Sequence, residues 1–279
     1  MRFARPATLT EAITLRAEGM RVLAGGTDLY PAAGQGLGGQ DLAGDVLDLT
    51  AIADLSGLQS GPEGLRIGAC TTWTDLAEAA LPPPLTALQQ AARLVGGRQV
   101  QNAGTLGGNL CNASPAADGV PPLLVLDARV EITGQQGRRD MALADFLIGP
   151  RRTALAPDEL LTAVILPAAA LQGRSAFVKL GARAHLVISI AMAAARVTLE
   201  GGRITHAALA VGACGPVARR VPGLEARLRG QTPAEAAALL TPDALAEVLA
   251  PIDDIRATAA YRVEAAAELL RRAVEGACR

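Results

Sequence analysis

Two glycine-rich segments constrain the fold of this 279-residue chain more than any other feature. Residues 24–28 read AGGTD, and residues 104–110, roughly eighty positions later, read GTLGGNL. Because glycine has no side chain, such segments can point successive backbone N–H groups into one concavity that a phosphate approaches closely. Taken alone, the first segment fits an ordinary tight turn equally well. Together they favour a diphosphate held between two loops, so a branched side chain at Gly107 or Gly108 would exclude it and leave the fold largely intact.

The motifs of the common nucleotide-binding and hydrolytic enzymes are missing. Neither glycine segment fits G-x-G-x-x-G followed by a helix, and the chain contains no G-x-x-x-x-G-K-[ST] motif. It also contains no G-x-S-x-G or H-E-x-x-H motif, and it has only two histidines. We therefore expect a protein that holds a cofactor with its own chemistry and that needs no catalytic side chain.

The residues after the second glycine segment are small and polar. Residues 112–119 read NASPAADG, and Asp118 comes just before an apolar stretch, residues 120–126, that can form a buried helix. A carboxylate at this junction can cap the N-terminus of that helix. It can equally accept hydrogen bonds from the hydroxyl groups of a sugar, and the sequence leaves both interpretations open.

The hydrophobic pattern and the length favour two structural units. In the first, we expect strands and helices in mixed order, with strands at residues 21–24, 45–49, 65–69, 129–133 and 160–166 and helices at residues 8–17 and 85–95. Residues 167–173 form a predicted linker. The second unit should contain a strand at residues 175–180, a hairpin of residues 190–199 and 204–211 that turns at Gly201-Gly202, and helices at residues 223–228, 233–240, 242–249 and 256–274.

Charge and composition exclude several classes of partner. The net charge is -1 and aromatic residues make up 2% of the chain, which argues against a nucleic-acid partner. The apolar runs are too short to span a bilayer and no signal peptide is evident, so we expect a cytoplasmic protein. The four cysteines are far apart and form no C-x-x-C pair. We therefore expect no metal site or iron–sulfur cluster within this chain.

At the glycine segments the chain resembles the FAD-binding, or medium, subunits of the molybdenum hydroxylases. This family includes the flavin subunits of xanthine dehydrogenase and carbon monoxide dehydrogenase. AGGTDLYP at residues 24–31 and QNAGTLGGNLCNASPAADGVPPLLVLDA at residues 101–128 are similar to the two FAD-binding loops of the family. The similarity continues through residues 146–167, 177–195 and 254–262, so it covers nearly the whole chain.

The resemblance implies an α+β fold. A two-lobed FAD-binding domain of the vanillyl-alcohol-oxidase (PCMH) type would occupy residues 1–170, and a smaller α+β domain would occupy residues 174–279. FAD would lie extended, with its diphosphate between the glycine segments. The cofactor-binding residues that the motifs imply are Val22, Leu23, Ala24, Gly25, Gly26, Thr27, Asp28, Leu29, Val95, Thr105, Leu106, Gly107, Gly108, Asn109, Asp118, Leu161 and Lys179.

Three of these residues have specific implied roles. Asp118 would bond a hydroxyl of FAD, and Leu161 would line the flavin ring. Lys179 would do the same and place a cation near the charge of the reduced flavin. Lys179 is the only lysine beside 25 arginines. A solvated lysine on a strand is the alternative.

The resemblance also implies a function in electron transfer within a heteromer. A large subunit with molybdopterin would oxidise the organic substrate, and a small subunit with [2Fe-2S] clusters would carry the electrons to FAD in this chain. NAD+ or another acceptor would then receive them. The two alternatives are a stand-alone FAD-dependent oxidoreductase, which would need its own general base, and a scaffold subunit without FAD. The chain departs from the family at Gly149-Pro150-Arg151, where Gly-Tyr-Arg is usual.

Overall fold

The computed structural model describes residues 1–34 and 44–279, and the first of its sheets is small and parallel. Its strands are β1 (Phe3–Ala4), β2 (Arg21–Leu23) and β3 (Val46–Asp48), in the order β1-β3-β2. Helix α1 (Leu9–Ala17) begins after Thr8, whose hydroxyl accepts the N–H of Glu11, and helix α2 (Leu29–Gly34) follows the first glycine segment. These elements form the first lobe, and their small apolar core also includes Leu160 from the start of a strand of the second lobe.

A five-stranded antiparallel sheet forms the second lobe. Its strands are β4 (Leu58–Gly61), β5 (Gly64–Gly68), β6 (Arg129–Gly134), β7 (Gly137–Ala142) and β10 (Leu160–Pro167), in the order β4-β5-β10-β6-β7. The helices beside it are α3 (Trp73–Glu78), α4 (Thr86–Leu94), α5 (Arg98–Ala103), α6 (Leu106–Asn112), α7 (Val120–Val125) and α8 (Leu143–Phe146), and a hairpin follows as β8 (Leu147–Gly149) and β9 (Arg152–Thr153). Strand β10 closes the lobe because it returns to the centre of the sheet from a distant part of the sequence.

Helix α7 is the most deeply buried element of the second lobe. All six of its residues are buried, as the apolar sequence predicts. Asp118 does not cap it, however, because the capping position is occupied by Gly119 and no side chain bonds the first turn. The capping interpretation of Asp118 is therefore wrong.

The C-terminal unit is a four-stranded antiparallel sheet with helices on one face. Its strands are β11 (Arg174–Leu180), β12 (Ala191–Glu200), β13 (Arg203–Gly212) and β14 (Arg219–Arg220), in that order, and its helices are α9 (Pro222–Leu228), α10 (Pro233–Leu239), α11 (Pro242–Ala246) and α12 (Ala259–Cys278). The predicted hairpin is confirmed: Gly201 and Gly202 have φ of 56° and 75°, as a tight turn between twisted strands requires. Helix α12 begins three residues later than predicted, because Thr258 accepts the N–H of Tyr261 and caps it there.

Strand β12 belongs to two cores because its side chains alternate between the faces of the sheet. Ala191, Ala193 and Ala195 pack against α12 and its neighbours, whereas Met192 and Ala194 pack into the core of the second lobe. The small side chains let helices approach both faces closely. The C-terminal sheet therefore completes the core of the second lobe rather than standing apart from it.

Two arginines of the C-terminal sheet bond the end of α7. Arg196, which is only 2% exposed, donates to the carbonyl oxygen of Val125 at 2.7 Å, and Arg220 donates to that of Leu124 at 3.0 Å. Both also pair with Asp127, at 3.0 and 2.7 Å. The last carbonyl groups of a helix lack partners within the helix, so these bonds satisfy them and fix the sheet on the second lobe. No helix in residues 1–34 and 44–279 is long and apolar enough to cross a bilayer.

Candidate functional site

A cavity of about 1190 Å³ lies where the two lobes and the C-terminal sheet meet. Its walls include the end of β2, the start of α6, strand β10, strand β11 and residues 186–188. The structure brings sixteen of the seventeen predicted cofactor-binding residues to this cavity, and Leu106 is the exception because it is fully buried in the core. The contact of these residues with FAD stays a prediction.

The first glycine segment has free backbone donors. In the described part of the chain, the N–H groups of Gly26, Thr27 and Asp28 have no protein acceptor, and all three residues line the cavity. A side chain at Gly25 would place its Cβ 2.6 Å from the carbonyl carbon of Ala103, so only glycine lets the two segments touch. These unbonded N–H groups in the cavity wall are available to an anion.

The second glycine segment is the start of a helix rather than a loop. Thr105 caps α6, and its hydroxyl accepts the N–H of Gly108 at 3.1 Å. The N–H groups of Leu106 and Gly107 donate to the carbonyl oxygens of Thr71 and Ala69, at 2.9 and 2.8 Å. The expectation that this segment also offers free N–H groups is therefore wrong at these positions. The second glycine segment contributes open space to the cavity rather than hydrogen-bond donors.

The two glycines at the start of α6 are needed for different reasons. At Gly107, a Cβ would lie 2.7 Å from both Cβ and the carbonyl oxygen of Ala69, so a side chain there collides with the protein. At Gly108, which is exposed, a Cβ would meet only the hydroxyl of Thr105, at 2.8 Å. Gly107 therefore serves the packing of the lobe, and Gly108 leaves open the space of the cavity.

A buried acceptor without a partner lies beside these glycines. In the described structure, Asn109 Oδ1 is inaccessible to solvent and accepts no hydrogen bond. Buried polar atoms are nearly always bonded, so an orphaned amide oxygen in a cavity wall fits a ligand that carries hydrogen-bond donors. Nearby, Asn112 donates to Asp28 at 2.9 Å and accepts from Arg151, which ties the two glycine segments together at the rim.

Asp118 and Lys179 form a buried ion pair in the cavity wall. Lys179 Nζ lies 2.6 Å from Asp118 Oδ2, Ser189 donates to Asp118 Oδ1 at 2.6 Å, and the two charged side chains are only 9% and 7% exposed. Burial raises the pKa of Asp118, while Lys179 and Ser189 oppose that rise. The interpretation of Lys179 as a solvated lysine is wrong. Both carboxylate oxygens already accept one bond, although each retains a lone pair for a ligand.

Some lining residues carried no signal in the sequence. Arg16, Cys70 and Trp73 come from segments without glycine motifs and outside the segments of family resemblance, so only the folded chain reveals them. Cys111 is open to the cavity but otherwise enclosed by protein, and this desolvation raises the pKa of its thiol to about 12. Burial raises the pKa of Cys70 to about 12 as well. Neither thiol is a useful nucleophile near neutral pH.

The cavity is equipped for binding rather than for acid–base chemistry. Its described lining contains no histidine and no glutamate, and its two aspartates are engaged: Asp28 with Asn112, and Asp118 with Lys179. No group of three or more His, Cys, Asp or Glu side chains that could hold a metal occurs in the described residues. What remains is a large cavity with free N–H groups, an unpaired acceptor and a buried cation.

Comparison with known proteins agrees with this arrangement. The family model "FAD binding domain in molybdopterin dehydrogenase" matches residues 1–169, and "CO dehydrogenase flavoprotein C-terminal domain" matches residues 176–277. The xanthine dehydrogenase FAD-binding subunit of Escherichia coli O157:H7 is 35% identical over 76% of this chain and 73% of its own length. The carbon monoxide dehydrogenase medium chain of Afipia carboxidovorans is 32% identical over 98% of this chain and 95% of its own. A crystal structure of Cu,Mo-CO dehydrogenase matches with a TM-score of 0.88 and 30% identity, over 100% of this chain and 97% of that one.

Proposed function

The chain belongs to the family of FAD-binding subunits of the molybdenum hydroxylases, and we propose that it is the electron-transfer subunit of such an enzyme. In this role it takes electrons from the [2Fe-2S] clusters of a small partner subunit and passes them to NAD+ or another acceptor. The organic substrate is oxidised in a large partner subunit that holds molybdopterin. The cytoplasm is the proposed location.

The observation that carries this proposal is the cavity at the junction of the three sheets. It offers free N–H groups at Gly26, Thr27 and Asp28, an unpaired acceptor at Asn109 and open space at Gly108. A dinucleotide needs these three things: donors for its phosphates, an acceptor for its hydroxyl or amino groups, and room for its backbone. The residues present therefore fit FAD.

Each of these groups has a specific part in binding. The N–H groups of the first glycine segment donate to the diphosphate oxygens, and Gly108 leaves room for the diphosphate on the opposite side. Asn109 Oδ1 accepts from a hydroxyl or amino group. Lys179 holds a positive charge in the wall, where it favours negative charge on the bound cofactor. FAD itself supplies the redox chemistry, because a flavin can accept electrons singly and release them as a pair.

The lining of the cavity favours an electron relay over a stand-alone oxidase. A flavin oxidase needs a general base beside its organic substrate. The described carboxylates of the cavity are already paired, and its thiols have raised pKa values. The described lining of the cavity can therefore position a cofactor, but it offers no free base for the oxidation of an organic molecule.

Copurification tests the assembly. A tagged copy of the chain, expressed in its native source, should carry a large and a small subunit, together with molybdenum, iron and one FAD per copy. Mass spectrometry identifies the subunits, and metal analysis with the flavin spectrum gives the cofactors. An active chain that purifies alone, without molybdenum or iron, would contradict the assignment to a hydroxylase complex.

A variant that lacks FAD tests the direction of electron flow. In the purified complex, Gly108→Val should abolish NAD+ reduction by the organic substrate, because the last carrier is missing. Reduction of an artificial dye that accepts electrons from the iron–sulfur clusters should persist. Equal loss of both activities would show that this chain does not lie between the clusters and the acceptor. If the wild type reduces the dye but reduces no NAD+ at any NAD+ concentration, another acceptor is indicated.

A further inference from the structure

Arg262, on helix α12, is a buried cation that does not line the cavity. It is only 3% exposed, and its Nη1 donates to two backbone carbonyl oxygens, those of Ile190 at 2.5 Å and Ala213 at 3.0 Å. Its Nη2 donates to Asp254 Oδ1 at 2.7 Å. Burying an unpaired guanidinium destabilises a protein, so the ion pair with Asp254 is needed to keep Arg262 buried.

The two residues whose carbonyl groups accept from Arg262 are both connected by hydrogen bonds to the same wall of the cavity. Ile190 follows Ser189, whose hydroxyl donates to Asp118 at 2.6 Å. Ala213 donates its own N–H to the carbonyl oxygen of Pro115 at 3.0 Å. Both paths therefore end within residues 114–118, the segment that carries Asp118 and lines the cavity between the second glycine segment and α7.

Asp254 is held in place as firmly as the arginine that it binds. Its Oδ1 accepts the N–H groups of Arg256 at 2.8 Å and Ala257 at 3.2 Å, and its Oδ2 accepts from the Arg256 side chain at 3.1 Å. The turn at residues 253–257 therefore fixes the carboxylate that binds Arg262. These bonds hold the carboxylate of Asp254 in place, and through it the guanidinium of Arg262.

We propose that Arg262 and Asp254 are positioning residues for FAD binding, acting through the wall at residues 114–118. The inference rests on the FAD-binding role proposed above. Arg262 sets the positions of the Ile190 and Ala213 carbonyl groups. These set the Ser189 hydroxyl and the Pro115 carbonyl, and through them the place of Asp118 and its ion pair with Lys179. Neither Arg262 nor Asp254 touches the cofactor.

Two conservative variants of the full chain test the proposal. Arg262→Lys keeps the charge but cannot reach three acceptors at once, and Asp254→Asn keeps the shape but removes the charge that fixes the guanidinium. We expect each to raise the FAD dissociation constant roughly 2- to 30-fold, the range found for residues that couple to a site without touching it. Flavin fluorescence during titration of the apoprotein gives the constant. Visible circular dichroism of the bound flavin, which reports the asymmetry around its ring, should change as well.

A second buried arginine provides the matched control. Arg196 also bonds a backbone carbonyl group, that of Val125, and pairs with Asp127, but it holds the far end of α7 rather than residues 114–118. Arg196→Lys and Asp127→Asn should lower the free energy of unfolding of the apoprotein as much as the test variants do, yet leave the FAD dissociation constant and the dichroism of bound flavin unchanged.

The outcomes separate the two proposals. Wild-type affinity and dichroism in Arg262→Lys and Asp254→Asn would overturn the positioning role. An equal loss of affinity in the control variants would do so too, because the effect would then follow from stability alone. If the wild-type chain binds no FAD, the proposed function fails instead. Should Arg262→Lys not fold, Asp254→Asn alone still decides the question.

Discussion

The adjacent glycines at the start of α6 should respond to substitution in opposite ways. In Gly107→Ala, the new methyl carbon lies 2.7 Å from two atoms of Ala69, one of them a backbone oxygen that cannot rotate away. Overpacking of this kind costs about 1–3 kcal/mol. The shift also weakens the bond from Gly107 N–H to Ala69, which contributes about 1 kcal/mol. Replacing glycine by alanine within helix α6 offsets about 1 kcal/mol of this, so we expect a net loss of about 1–3 kcal/mol in the free energy of unfolding.

Gly108→Ala should leave stability nearly unchanged. Its methyl group meets only the Thr105 hydroxyl, so the loss of that cap costs about 1 kcal/mol. Replacing glycine by alanine within a helix returns about the same amount. The methyl group instead enters the space assigned to the diphosphate. Displacing one charge-assisted hydrogen bond, worth about 1.5–3 kcal/mol, raises the FAD dissociation constant about 10- to 150-fold.

The assay uses each apoprotein twice. Urea unfolding followed by circular dichroism gives stability, and flavin fluorescence during titration gives affinity. Gly108→Ala should be stable and bind weakly, whereas Gly107→Ala should be unstable. Gly108→Ala with full affinity would show that the diphosphate does not pass this residue. A stable Gly107→Ala would show that the contact with Ala69 relaxes freely.

Three further predictions follow from the titratable groups. FAD should be bound without a covalent link, because the described lining of the cavity contains no histidine and desolvation by the surrounding protein raises the pKa of the Cys111 thiol to about 12. Acid precipitation should therefore leave all flavin in the supernatant and none in the pellet. Lys179→Met should destabilise the apoprotein by about 3 kcal/mol at pH 8, because it leaves the Asp118 carboxylate buried and unpaired. The folded variant then binds the Asp118 proton more tightly than the unfolded chain does. Urea unfolding should therefore show a smaller loss of stability at pH 5 than at pH 8. An equal loss at the two pH values would contradict this. Hydrogen bonds lower the pKa of Asp254 to about 2, and the largest contribution comes from the N–H of Arg256. The wild type should therefore have a higher free energy of unfolding than Asp254→Asn. This difference should be full above about pH 4 and should vanish as the pH falls through about 2.

Local patterns predicted the parts of the fold that local rules control. The hairpin at Gly201-Gly202 was predictable because only a turn with positive φ joins two such apolar strands. Helix α6 was not, since glycine disfavours helices and its first turn depends on carbonyl groups of residues 69 and 71. The prediction that Gly107 and Gly108 are equivalent was wrong for the same reason. Ala69 contacts only Gly107, and it is remote from both glycines in the sequence.

The lining of the cavity was largely predictable from the sequence, but the hydrogen bonds and ion pairs within it were not. The glycine motifs and the resemblance indicated seventeen residues, and the structure places sixteen of them in the wall of one cavity. The ion pair between Asp118 and Lys179 joins positions 61 residues apart, so it depends on how β11 packs beside the second lobe. Arg262 is further removed, because its effect passes through backbone carbonyl groups that no side-chain pattern marks.

The position of β12 between two cores bears on how the chain loses its structure. A sheet whose two faces are buried in different units cannot detach from one without exposing the other, so the units should melt in a single cooperative transition. Separating the two units at residues 167–173 would leave apolar surface uncovered on both fragments and remove Lys179 from the cavity. Because a ligand stabilises whatever must be folded to bind it, FAD should raise the melting temperature of the helix α12 region as much as that of the glycine segments.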